Sequence, residues 1–446
     1  MKHRVQKHGF AHWDCRQARR GRGFRTLACV ALPLACSIFF VPRACAGPGE
    51  LTFVEAEFDG VGGVDGLWEA LEVAVSPDGQ HVYVASQFDD AVAVFSRNGT
   101  TGELTFVEAE FDGVGGVAGL DAAIGVAVSP DGQHVYVTGG SDDAVAVFSR
   151  DGTTGELTFV EAEFDGVGGV DGLHWASEVT VSPDGQHVYV TGWTDNAVAV
   201  FSRSATTGEL TFVEAEFDGV GGVDGLYQAT DATVSPDGRH VYVTGGGDSA
   251  VAVFSRNGTT GELTFVEAEF DDVGGVDGLY SASGVTVSPY GRHVYVTGAW
   301  DDSVAVFSRN GTTGELTFVE AEFDGVGGVD GLDYAYGVAV SSDGQHVYVT
   351  GATDNAVAVF SRRLTTGGLT FVKAEFDGVG WVDGLDGAVG IAVSPDDQHV
   401  YVAGGGDDAV AVFSREVPVV PTVTLVGLAI LSVTVLALGA RRRTVC

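Results

Sequence analysis

Seven histidines in this chain recur at a single spacing. His81, His134, His187, His240, His293, His346 and His399 each follow the last by 53 residues. An imidazole can serve as general base, general acid or metal ligand near neutral pH. Seven equivalent copies, however, supply one group seven times, whereas catalysis needs different groups in different roles. The periodic histidines are therefore read as structural. His174, beside Trp175, stands outside the period. The sequence shows no Ser-His-Asp signature, HExxH or Walker-type loop, so catalytic residues are left unassigned. Cys15, Cys29, Cys36, Cys45 and Cys446 all lie outside the repeats, which therefore carry no thiol nucleophile and no disulfide.

A second set of residues is carboxylate. Asp59 and Asp65 stand six apart in the glycine-rich segment FDGVGGVDGL, as do Asp165 and Asp171 in a later copy. Oxygen ligands on such a loop suit Ca2+, and these four are the candidate ligands. The spacing matches neither an EF-hand nor a nonapeptide calcium repeat. In the second copy Ala118 replaces the second carboxylate. Asx turns and solvation account for the same residues, and no cofactor is assigned.

A third set is aromatic and irregular: Trp68, Trp175, Trp193, Tyr227, Tyr280, Trp300, Tyr334 and Tyr336, joined by His174. Rings with Asp, Gln and Ser nearby can stack on sugars or peptides and hydrogen-bond to them.

The elements that must position these residues come from the repeat. LTFV begins at Leu51, Leu104, Leu157, Leu210, Leu263, Leu316 and Leu369, without insertion or deletion. In one unit IGVAVS leads to Ser129-Pro130-Asp131-Gly132, and QHVYVTG returns from it. Proline presets one turn dihedral and glycine accepts a positive one, so the pair forms a hairpin. AVAVFSR and LTFVEAEF supply a third and a fourth strand, rich in β-branched and aromatic residues. No stretch keeps a helical period. Four strands in a repeat of this length predict a propeller blade.

The ends of the array fix its closure. The chain carries an LTFV strand before the first full unit, at 51–58, and lacks one after the last AVAVFSR, which ends at Arg415. In a ring, 51–58 becomes the outer strand of the seventh blade and leaves no open sheet at either end. The expected fold is thus all-β: a seven-bladed propeller of four-stranded blades over residues 47–415. In such blades the loops after the second and fourth strands share one face. That face holds the variable, aromatic-rich segments, and the opposite face carries the near-constant SPDG and TTGE turns.

VSPDGQHVYVTG, DDAVAVFSR and TTGELTFV resemble the YVTN-repeat, lactonase-like seven-bladed propeller family across all seven copies. Gly139 and Gly192 stand where that family's motif has Asn. The resemblance implies either lactone hydrolysis or a non-catalytic exported propeller, because fold does not settle function.

Residues 1–46 combine a basic region, an apolar run at 27–41 and Ala44-Cys45-Ala46, the anatomy of a signal peptide. Residues 416–421 read as a linker or sorting motif. Residues 422–446 read as a transmembrane helix followed by Arg441, Arg442 and Arg443. This tail resembles PEP-CTERM and IPTL-CTERM sorting signals. Both ends predict an exported protein, periplasmic or on the cell surface, and associated with the membrane through its C-terminal helix.

Between these ends stand 11 basic and 60 acidic residues. So negative a surface repels phosphate backbones and excludes nucleic acid as a partner. The sequence reading therefore favours a binding module that takes a glycan, peptide or protein ligand on the varied face. A lactonase-type hydrolase is the alternative and a passive structural surface protein the third reading.

Overall fold

Alternating Val, Ala, Phe and Tyr with turn residues at fixed intervals give strands and tight turns throughout the repeats. A computed structural model describes residues 49–416. The segments read as a signal peptide and as a membrane helix lie outside the described residues. The strands form seven four-stranded antiparallel sheets. In the first blade the order from the axis outward is Ala70–Val75, His81–Ser86, Ala91–Arg97 and Leu104–Phe111. Each innermost strand touches the innermost strands of the blades on either side, including the pair that joins the first and seventh blades, so the ring is closed.

Closure follows the expected route. Leu51–Phe58 pairs antiparallel with Ala409–Arg415, from Leu51 opposite Arg415 to Phe58 opposite Ala409. Its register shift between Phe53 and Glu55 repeats the one found in every other outer pair. Residues 49–50 stand in for the end of a TTGE turn. Gly49 N–H donates to the Glu416 carbonyl and Glu416 N–H to the Glu50 carbonyl, at 2.8 and 3.0 Å. Gly49 and Gly102 share a φ of +82°, and a Cβ at either would meet the ring of His346 or His399 at 2.1–2.2 Å. Glycine is therefore obligatory there.

Packing between blades repeats seven times. The central strands are buried along their whole length, with Tyr83 and its six counterparts fully inside. The arginine ending each third strand reaches back to the preceding blade. Arg150 donates through Nε to Tyr83 Oη at 2.7 Å, through Nη1 to the Gly132 carbonyl, and through Nη2 to Asp78 and to His81 Nδ1. Tyr83 in turn donates to the Gly155 carbonyl at 3.1 Å. Burial and the arginine charge hold the histidine pKa below its ordinary value, which keeps Nδ1 free to accept. The periodic histidines are structural, as their repetition predicts. The glycine of each VYVTG strand has an equally local cause: a Cβ at Gly139 would lie 2.4 Å from the Gly119 carbonyl oxygen.

Candidate active site

Every innermost strand carries a β-bulge near its start. In the third blade Ala176 pairs with Gly192 and Val179 with Val190, so Ser177 and Glu178 together face Thr191. Thr191 manages the irregularity: its Oγ1 accepts from Glu178 N–H at 2.9 Å and donates to the Thr230 carbonyl of the next blade at 3.1 Å. Thr138, Thr244, Thr297 and Thr350 do the same in their blades. Bulges re-aim side chains and are common beside active sites. The residue displaced here differs from blade to blade. It is Glu72, Gly125, Glu178, Asp231, Gly284, Gly337 and Gly390 in ring order. Four glycines and three carboxylates thus share one level of the innermost strands.

The glycines answer first to the next blade's backbone, since a Cβ would lie 2.7, 2.4, 2.3 and 2.5 Å from the carbonyl oxygens of Ser177, Tyr336, Val389 and Leu71, and two of them also adjoin an acid. A Cβ at Gly125 would stand 3.1 Å from the Glu178 carboxylate, and one at Gly390 would stand 3.0 Å from the Glu72 carboxyl carbon. Glu72 Oε1 accepts from Val73 N–H at 3.1 Å. Asp231 Oδ2 accepts from Val285 N–H of the adjoining blade at 2.7 Å. All three are half-buried on strands that face the axis.

Their proton affinities are raised and unequal. Burial pushes Glu72 up to about 8, opposed by the Val73 N–H and reinforced by the Asp231 charge. Burial likewise raises Asp231 to about 6, against hydrogen bonds from Val285 and Ala232. Glu178 stands well above the carboxylate range through burial and through the charges of Glu72 and Asp231. Near neutrality such a cluster holds both ionised and protonated carboxyls, the pairing that acid–base catalysis uses. Tyr336 joins the group. Its hydroxyl is held protonated by burial and by neighbours that include Tyr334, Glu72 and Asp231.

The sequence-derived aromatic residues take several positions. Tyr336 lies on an innermost strand, stacked on Tyr334 at 6.5 Å and 18°. Trp68 packs edge-on against Phe88, and Tyr280 against Trp300, both at 5.6 Å within their own blades. Trp193, exposed like Trp68 and Trp300, donates its backbone N–H to the Trp175 carbonyl at 3.0 Å. Tyr227 is exposed on the fourth blade, and its backbone N–H is held by Asp248 at 3.0 Å. His174 Nδ1 lies 3.6 Å from Asp143 Oδ2, and Asp143 Oδ1 also accepts from Trp175 N–H at 2.7 Å.

The Asp59–Asp65 and Asp165–Asp171 pairs come together with a third aspartate each, Asp89 and Asp195, their carboxylate oxygens within 4.8 Å. The same oxygens already serve the loops. Asp59 accepts from Leu67 N–H, Asp89 from Trp68 N–H and Asp195 from His174 N–H. Turn chemistry accounts for them, and no cofactor follows from their grouping.

Glu72, Glu178 and Asp231 were not singled out from sequence. The signal was present: they are the acidic residues at one position, glycine in the other four copies, of a segment that varies between otherwise matching copies. A bulge that turns this one position toward the axis is invisible to a strict two-residue alternation.

A ring of four-stranded blades around a carboxylate-lined axis defines a seven-bladed β-propeller with an axial polar site. The chain belongs to the lactonase, 7-bladed beta-propeller family, whose model matches residues 60–171, 167–274, 231–383 and 338–426. A 6-phosphogluconolactonase of Klebsiella pneumoniae (strain 342) is 25% identical over 291 residues, covering 63% of this chain and 77% of the relative. Among solved structures, the periplasmic gluconolactonase of Pseudomonas aeruginosa superposes with a TM-score of 0.55 at 21% identity, over 68% of this chain and 85% of that one. Hydrazine synthase of Kuenenia stuttgartiensis shares the fold at a TM-score of 0.57 and 19% identity, over 81% and 99%.

These relationships correct the functional expectation. The preference for a binding module rested on the varied, aromatic-rich face, with the near-identical blades, offering one set of groups seven times, counted against an enzyme. The curated relatives carry the name of a lactonase, and the blades are not alike where it matters. Three of seven bulges present a carboxylate to the axis and four do not. The aromatic pairs on the varied face also pack on each other within their blades, which gives them a structural use.

Proposed function

We propose that this chain hydrolyses a lactone at the axial site formed by Glu72, Glu178 and Asp231. The observation that carries the reading is the unequal proton affinity of three acids at one level of the axis, Glu178 and Asp231 on adjoining blades and Glu72 one blade removed from Glu178, in a chain of the lactonase propeller family. Asp231, more acidic than Glu72, takes a proton from water as the oxygen adds to the lactone carbonyl. Collapse of the tetrahedral adduct breaks the ring C–O bond. A protonated carboxyl, that of Glu72 or Glu178, gives its proton to the departing ring oxygen; after release it is re-protonated from solvent and Asp231 loses to solvent the proton it took from water. The product is the open hydroxy acid. The export-type N-terminus and the apolar C-terminal run support a setting for this reaction outside the cytoplasm.

Acid release from glucono-1,5-lactone by the purified protein, corrected for spontaneous opening, tests the reading. Asp231→Asn and the double variant Glu72→Gln with Glu178→Gln should each lower the catalysed rate by about 100-fold, the usual worth of a positioned acid or base. Unchanged rates in both variants would remove the axial site from the reaction.

A further inference from the structure

Building on that reading, we infer that the site selects an uncharged polyhydroxy lactone and rejects one that carries a phosphate. The first observation is where the cations are. Seven of the arginines, at 97, 150, 203, 256, 309, 362 and 415, are buried between blades at the face of the SPDG and TTGE turns. Arg239 and Arg292 lie in SPDG-type turns on that same face, and Arg363 lies in a TTGG turn. Lys373 sits on an outer strand, where its Nζ donates to the Leu51 carbonyl at 2.6 Å. Among the described residues no lysine or arginine lies on an innermost strand or in a loop of the varied face.

The second observation is independent and concerns backbone donors. Proteins that hold phosphate without side-chain cations use free N–H groups. On the varied face the N–H groups preceding the innermost strands are already taken by side-chain oxygens, most of them carboxylates, with Asn196, Asn355 and Ser249 serving the rest. Trp68 N–H bonds Asp89 and Glu69 N–H bonds Asp408, both at 2.9 Å; Trp175 N–H bonds Asp143 and Tyr227 N–H bonds Asp248. Burial together with neighbouring negative charges raises the pKa of Asp89, Asp195, Asp248 and Asp301 from its ordinary value. A phosphate at the mouth would meet like charge in the axial acids and in the rim, with no counter-charge. Sugar hydroxyls, by contrast, can donate to these same oxygens.

The test compares glucono-1,5-lactone with its 6-phosphate ester on the purified protein at low and high salt. The expected result is a kcat/KM for the neutral lactone higher by roughly 100-fold at low salt, with the ratio narrowing as salt screens the repulsion. Equal or faster hydrolysis of the phosphate ester overturns the inference and leaves the lactonase reading standing. If neither lactone is hydrolysed, the lactonase reading falls. Calorimetric binding of the corresponding non-hydrolysable lactam and its 6-phosphate then decides the selectivity. Binding of the neutral lactam alone upholds it, while binding of both, or of neither, overturns it.

Discussion

Arg97 of the first blade places its Nη2 2.7 Å from Nδ1 of His399 in the seventh, 302 positions along the chain. The same guanidinium holds Asp396 at 2.9 Å and Tyr401 Oη at 2.6 Å. It is the clasp found at the other junctions, here made between the first complete blade and the last. The neutral imidazole is part of it. A protonated Nδ1 could no longer accept from the arginine and would set two cations side by side.

The first prediction follows from that state. Burial and the adjoining arginine depress the pKa of His81, His134, His187, His240, His293 and His399. At these histidines the unfolded chain therefore binds more protons than the native one below about pH 6.5. The clasp's contribution is complete above that value and is lost as pH falls toward the folded values, about 4 for His293. Asp78, Asp131 and Asp184, held low in part by their hydrogen bonds and arginines, add a loss in the same direction at lower pH. Outer-strand Glu57 and Glu110, raised by burial, act oppositely within the carboxylate range. In a variant with Glu72, Glu178 and Asp231 replaced by their amides, which removes the opposite contribution of the axial acids, denaturant midpoints measured from pH 8 downward should begin to fall near 6.5. A flat profile down to pH 5 would contradict the clasp.

One clasp lacks its acid. Tyr290 occupies the place of the SPDG aspartate in the fifth blade, so Arg362 bonds His293, Tyr295 and the Gly344 carbonyl, with no carboxylate partner among the described residues. Tyr290→Asp should restore the ion pair and stabilise the protein by about 0.5–1 kcal/mol, since the sister aspartates are one-third exposed. It should also raise the His293 pKa from about 4 toward those of its counterparts, which an NMR titration would follow.

Trp381 is 92% exposed and has a φ of +90°, where the other copies place glycines such as Gly63 at +101° and Gly328 at +95°. A side chain in that region costs about 1–2 kcal/mol, and this one buries almost nothing to offset it. Trp381→Gly should therefore stabilise the protein by about 1 kcal/mol in chemical denaturation. A loss of stability would mean that the ring makes contacts outside the described residues.

The axial acids predict a pH profile as well as a loss on mutation. Asp231 must be ionised, which sets a rising limb near 6. Glu72 must keep its proton, which sets a falling limb near 8. Glu72→Gln should abolish the falling limb, or move it to a value set by Glu178. Because each of these carboxylates is raised by burial, its ionised form destabilises the fold, and stability should be gained as pH falls through 8. The double variant Glu72→Gln with Glu178→Gln is thus expected to raise the denaturation midpoint while lowering the rate, a combination that simple misfolding would not produce.

The fold was legible because identical units leave few choices. The 53-residue period, the SPDG and TTGE turns and a surplus LTFV strand at 51–58 lead to seven blades and to the closing strand by local chemistry and counting alone. The structural role of the seven histidines was legible for the same reason. The Gly139 departure from the family motif was visible in sequence, but its cause, the Gly119 carbonyl 2.4 Å from where a Cβ would stand, was not.

What the sequence determined by itself is whatever repeats: strand pattern, turn type, blade number and ring closure, all set by periodic burial and by turn dihedrals. What tertiary structure decided is whatever depends on one position being turned out of register. A bulge opposite Thr191 sends Glu178 toward the axis, and closure of the ring brings Glu72, Glu178 and Asp231 to one level although 106 and 53 positions separate them. Charge repulsion and burial then give three similar acids different proton affinities, and those forces act only between groups that the folded ring has brought together.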